Sequence, residues 1–154
     1  IKYNTSSASY TGSTSSSINL SGVTGPAPQA VYQTARMAWY TDGTPSQWLT
    51  MKLPGVLPYE SCKVRLHFSE MYWSNIGDQI FNIRINNANP GNYPDYWNYD
   101  ILAQTAGVQN KAAIVEFTVT NGSGPLRIDL EQRPSSGEFP YYNATLNGVE
   151  VLRP

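Results

Sequence analysis

The chain is poor in the groups that staple, charge or anchor a protein. Its 154 residues include one cysteine, Cys62, and one histidine, His67. A single cysteine excludes an internal disulfide, and with one histidine beside it the usual zinc-ligand spacings are excluded as well. Charged residues make up 14%, the net charge is −1, and the 10 Lys and Arg are scattered. Nucleic acid or an anionic membrane would want a basic patch, so neither is an expected partner. No apolar run approaches the about 20 residues of a membrane span, which argues against membrane insertion. The chain opens at Ile1 with neither a Met nor a signal peptide, so it reads as a mature or excised piece.

What remains is apolar alternation under a neutral polar surface. Residues 64–68 place Val64, Leu66 and Phe68 on one strand face and Arg65 and His67 on the other. Phe81, Ile83 and Ile85 repeat this against Asn82, Arg84 and Asn86. Period two marks half-buried strands. The same rhythm runs through Leu49, Met51 and Leu53, through Val115, Phe117 and Val119, through Leu126, Ile128 and Leu130, and over 145–152. Pro54-Gly55, Leu57-Pro58 and Asn121-Gly122-Ser123-Gly124 punctuate it as turns. Residues 87–99, NANPGNYPDYWNY, read as an irregular loop, and 100–106 as a turn or two of helix at most. Many short strands with Gly/Pro punctuation predict an all-β fold, an antiparallel β-sandwich of one domain. Cys62 falls in register with Val64 and belongs in its core as an inert thiol. Residues 1–16, rich in Ser and Thr, have two readings, a flexible tail or an edge strand, ahead of a domain spanning 17–154.

Candidate chemistry lies in the aromatics. Tyr72 and Trp73 open the loop after the 62–70 strand, where flat rings could stack on the apolar face of a sugar. Tyr93, Tyr96, Trp97 and Tyr99 form a second cluster; a loop folding on itself, a sugar platform and a protein-contact patch all fit it. Trp39 and Tyr40 precede a TDGTPS turn, and Tyr141 and Tyr142 precede the last strand. Catalysis has little to work with. A Ser-His-Asp triad would need His67, but no nucleophile elbow surrounds any serine. Glu70, Asp78, Asp95 and Asp100 lie near loops without a spacing that pairs them as in a glycosidase. Glu70 reads as a hydrogen-bonded structural acid, and Asp100 as the anchor of its own loop through backbone N–H bonds. No catalytic residue, metal or cofactor is expected. Four N-x-Ser/Thr sequons, at Asn4, Asn19, Asn121 and Asn143, fit a secreted glycoprotein.

In order and spacing, AVYQTAR (30–36), VRLHFSEMYW (64–73), DQIFNIRINN (78–87), YDILAQTAG (99–107), AAIVEFTVTNGSGPLRIDL (112–130) and NGVEVL (147–152) resemble the malectin and malectin-like domain family. The resemblance covers about residues 17–152. It implies a jelly-roll-type sandwich acting as a non-catalytic carbohydrate-binding module, with loop aromatics at one end gripping an oligosaccharide or polysaccharide, in an extracellular or secretory setting. Carried over by motif, the ligand-binding positions implied are Tyr32, Tyr72 and Trp73, with Tyr141 and Tyr142 in the loop where the family has an acidic ligand. Tyr96 and Trp97 join them from a loop longer than the family's. The chain departs from the pattern in lacking that acid, and in showing no opening strand that ends in an Ala-Gly-Gly-like turn. That strand is either missing from this piece or replaced by another segment or a partner, since a bare edge needs cover. The alternative reading is an extracellular protein-interaction or assembly module of the same fold, as in some plant receptor kinases, binding a protein partner or neighbouring domains of a larger chain.

Overall fold

A computed structural model describes residues 2–3, 9–38, 48–53, 61–85, 95–119, 125–132 and 144–152. Its elements in chain order are β1 (Lys2–Tyr3), β2 (Ser9–Ser13), α1 (Gln29–Tyr32), β3 (Thr34–Ala38), β4 (Trp48–Leu53), β5 (Cys62–Ser69), β6 (Phe81–Ile85), β7 (Tyr96–Tyr99), α2 (Ile101–Gln104), β8 (Ala112–Val119), β9 (Leu126–Gln132), β10 (Thr145–Leu146) and β11 (Gly148–Leu152). The alternating segments all became strands. Within the tail-or-edge segment, Lys2–Tyr3 and Ser9–Ser13 are edge strands, β1 pairing β4 and β2 pairing β3, both antiparallel. Two expectations change. Part of the supposed loop at 87–99 is the edge strand β7, and a short helix, α1, joins Gln29 to the first three residues of AVYQTAR.

One layer is a sheet in the order β1-β4-β9-β6-β7. In the other layer β10 pairs β3 and, one residue on, β11 pairs β5, so a single run of chain joins β2-β3 to β5-β8. Asn147 sits at that crossing. Its Oδ1 accepts from Ser69 N at 2.8 Å, and its Nδ2 donates to the carbonyls of Tyr32 at 2.9 Å and Thr34 at 3.0 Å. Gly148 follows because a Cβ there would lie 2.6 Å from Val31 Cγ1 of α1.

The core fills the space between the layers. Leu49, Met51, Phe81, Ile83, Leu126, Ile128 and Leu130 face Cys62, Val64, Leu66, Phe68, Ala113 and Leu146. Phe68, Phe81 and Tyr99 close one end, with ring centroids 4.8–5.8 Å apart in tilted and edge-on pairs. Cys62 is buried, as its register required.

The polar faces of the strands are less wet than alternation suggests. On the β4-β9-β6 outer face Thr50 donates to Asp129 at 2.6 Å, and Glu131 takes Arg84 at 3.1 Å and Asn82 at 3.0 Å. On β5 the face carrying Arg65 and His67 is covered by the chain running from β2 to α1, where Ile18 and Tyr32 pack on Ala112 with Leu20, Val23 and Ala27 around them. Arg65 ties this strap down by donating to Thr24 O at 2.5 Å and Gly25 O at 2.8 Å. Arg65 and His67 are therefore buried even though they stand on the polar side of the alternation.

Candidate functional site

Strand direction decides which loops meet. β3 and β5 both run antiparallel to the β10/β11 segment, so their C-terminal ends lie at the same end of the sandwich. Ala112 pairs Ser69 and Phe81 pairs Tyr99, which brings 70–80 and 100–111 to that end as well.

The 70–80 loop is built on carboxylates. Glu70 Oε1 accepts from Tyr72 N at 2.8 Å and Trp73 N at 3.1 Å, folding the chain back directly after β5. Burial pushes the Glu70 carboxyl up from its ordinary value while these N–H bonds pull it down. Asp78 Oδ2 accepts from the backbone and side-chain nitrogens of Asn75, both at 3.1 Å. Asp100 fixes its loop as expected. Oδ1 caps α2 through Ala103 N at 3.1 Å, and Oδ2 accepts from Gly77 N at 2.7 Å. Gly77 has φ 94°, a conformation that an L side chain resists. Asn110 N to Glu70 O at 2.9 Å stitches the two loops together. On this frame Tyr72 is 53% exposed and Trp73 is half-buried. The Tyr72 hydroxyl lies against Gly12 of β2, where a Cβ would collide with it and with the Met37 methyl. Tyr10, on β2, joins this group. Its phenol is pushed up by burial first, then by Tyr72 and Glu70. Nothing in SASYTGS marked Tyr10; only the pairing of β2 with β3 brings it here.

Two more exposed apolar side chains share this end, Ile76 at 60% and Val108 at 43%. Tyr96 and Trp97 stand elsewhere, on the edge strand β7, 38% and 50% exposed. Tyr96 rests edge-on against the buried Tyr99 at 5.2 Å. Tyr32, a ligand-binding position implied by the resemblance, lies in the interior. It is fully buried beneath the strap; its hydroxyl shares a hydrogen bond with His67 Nδ1 at 2.8 Å and accepts from Ala27 N at 3.3 Å. Trp39, Tyr40, Tyr93, Tyr141 and Tyr142 lie outside the described residues, as do Asn4, Asn121, Asn143 and the 54–58 and 121–124 turns.

His67 serves structure. Burial, and then the Arg65 guanidinium, hold its imidazole below the ordinary value, with Glu150 acting against them. Among the described residues no group of three His, Cys, Asp or Glu could hold a metal. No helix among them is long and apolar enough to cross a membrane.

The malectin domain profile matches residues 2–139. The chain belongs to the malectin domain family. It is 33% identical to the receptor-like protein kinase ANXUR2 of Arabidopsis thaliana over 100 residues, 58% of this chain and 11% of that one. The ANXUR1 extracellular domain from the same plant superposes with a TM-score of 0.69 at 23% identity, over 94% of this chain and 38% of that one. A crystal structure of the plant peptide RALF23 in complex with FER and LLG2 also contains this fold, with a TM-score of 0.66 at 23% identity, over 94% of this chain and 38% of the matched chain. The malectin chain thus spans about a tenth of the curated receptor kinase and well under half of the solved chains. Malectin-like ectodomains are binding and receptor modules, not catalysts, which agrees with the non-catalytic reading of the sequence.

Proposed function

We propose that this malectin domain is an extracellular binding module of a larger receptor-type protein, and that its loop end receives a protein or peptide partner. The observation that carries this is the make-up of the exposed surface at that end. Ile76 and Val108, at 60% and 43% exposure, are aliphatic and stand in the same pair of stitched loops as Tyr72. A pyranose is gripped by flat rings and a polar rim, whereas exposed branched aliphatic groups are matched by apolar side chains of a partner. The removal of Tyr32 to the interior takes one ring from the sugar grip that the family pattern implied. The complex holding RALF23 gives a precedent for a peptide in an assembly containing this fold.

A second reading, glycan recognition, is favoured by the accessible rings themselves: exposed Tyr72 beside half-buried Trp73 on the loop, and exposed Tyr96 and Trp97 on β7. Calorimetric titration with peptides of the RALF type, run beside a glycan array, separates the two. On the partner reading, Ile76→Ser weakens peptide binding by about tenfold, a loss of about 1.4 kcal/mol, and Trp97→Ala has less effect. Glycan binding that is lost in Trp97→Ala or Trp73→Ala and indifferent to Ile76→Ser reverses the order of the readings.

A further inference from the structure

Among the four sequons, Asn19-Leu20-Ser21 is held in a defined and accessible geometry. Asn19 is exposed, and its Oδ1 accepts from Ser21 N at 2.9 Å, an Asx turn that folds the sequon back on itself. Its Nδ2 has no protein partner among the described residues. The backbone beneath is fixed on both sides, with Asn19 N donating to Asn110 O at 2.8 Å and Ala112 N donating to Asn19 O at 2.9 Å. Gly22, at φ 79°, then turns the chain away, and Leu20 packs inward on the strap cluster. Asn19 thus stands on a rigid platform with its amide nitrogen directed away from the protein's own hydrogen bonds. The Asn143 sequon contrasts with it, because its third residue, Thr145, is 3% exposed within β10.

We propose that Asn19 is N-glycosylated, and that the glycan shields the open edge of β8. In the transfer, Nδ2 forms a bond to the anomeric carbon of a lipid-pyrophosphate-linked oligosaccharide; the anomeric C–O bond breaks, the lipid pyrophosphate leaves and Nδ2 gives up one proton. The location gives the glycan a task. β8 ends its layer, in the order β11-β5-β8, and among the described residues no strand continues the ladder beyond it. Asn19 forms a parallel bridge to Lys111 on the side away from β5, at the start of that edge. The amides of Ile114, Glu116 and Thr118 repeat the outward direction of Ala112 by the period of the ladder. A row of unpaired N–H and C=O groups is a template for pairing with another chain, and a bulky hydrated group beside it is a direct remedy.

The inference rests on the extracellular reading, and the test separates the two. The chain is secreted from cultured mammalian cells behind a cleavable signal peptide, then treated with peptide N-glycosidase in heavy-oxygen water and mapped by mass spectrometry. Conversion of Asn19 to labelled Asp in most molecules is the expected result. Ser21→Ala, which keeps the Ser21 N–H bond, should abolish it and leave the thermal midpoint unchanged. In light scattering, the Ser21→Ala protein should self-associate at concentrations where wild type is monomeric. Because secretion is forced, a bare Asn19 in folded secreted protein overturns the site wherever the native protein resides. Equal monomer content in the two proteins overturns the shielding role. The extracellular reading is tested apart, by fractionating the full-length protein from its own cells.

Discussion

Asn147→Ala removes the side chain that joins the two halves of the split layer, and its cost can be worked out bond by bond. The side chain makes three hydrogen bonds, all to backbone: one from Ser69 N and two to the carbonyls of Tyr32 and Thr34. Those to Ser69 and Tyr32 are partly buried, and each contributes about 1 kcal/mol, with a further penalty if water cannot replace the lost partner. The third is solvent-exposed and worth a fraction of that. The expected loss is about 2–3 kcal/mol, which lowers the thermal midpoint of a domain this size by about 4–12 °C. Urea unfolding followed by tryptophan fluorescence measures it, with the midpoint falling and the slope unchanged. Asn147→Asp is the sharper variant. It keeps the acceptor for Ser69 N but sets an anionic oxygen against two carbonyls, so at neutral pH it should cost at least as much as alanine. A loss below about 1 kcal/mol for alanine, or an aspartate milder than alanine, would refute the claim that this one amide holds the seam.

Three further outcomes follow from the geometry. Gly148→Ala drives a methyl into Val31 Cγ1 and should cost about 1–3 kcal/mol, most of it recovered in the Val31→Ala, Gly148→Ala double variant; unfolding of the three proteins checks the coupling. Glu70→Ala strips the acceptor from two loop N–H groups and should cost about 2 kcal/mol, whereas Glu70→Gln retains an oxygen at that position and should cost well under half of it in the same assay. The third outcome concerns pH. Because the folded His67 imidazole lies below its ordinary value of about 6.5, its contribution to stability is complete above that pH and is lost as pH falls through the folded value. Unfolding free energies measured from pH 7.5 downward should therefore decline in wild type, by at most about 1.4 kcal/mol per unit from this group, and more shallowly in His67→Gln. Equal slopes in the two proteins would remove His67 as the cause.

The strands were legible because their core-facing residues alternate without interruption. Phe81, Ile83 and Ile85 and Leu126, Ile128 and Leu130 admit no other period, and the family motifs supplied their order. α1 was illegible because its four residues, QAVY, are too few to show a helical repeat, and its burial comes from one side chain, Tyr32. The burial of Arg65 and His67 could not be read from alternation at all. A strand's polar face becomes interior only when a distant segment lies across it, and that segment, Ser/Thr-rich with scattered apolar residues, resembles a linker in isolation. The burial of Tyr32 had the same origin, since the strap that covers it is the element the sequence concealed. For Glu70 and Asp100 the reasoning succeeded because short acids at strand and helix ends have a local task, to receive backbone N–H groups.

The seam at Asn147 has a consequence for how the molecule is made. The β10/β11 run lies in the middle of its layer, between β3 and β5, yet of the described elements it is the last to be synthesised. Until residues 145–152 emerge, a growing chain holds two half-layers with a gap where the central strand belongs, and their apolar faces and unpaired edges stay open to solvent. The domain therefore assembles late, after its whole length is available, and a nascent chain stalled before Asn147 is a substrate for holding chaperones. An expression fragment cut at residue 139, where the family profile ends, would lack the strand that joins the two halves.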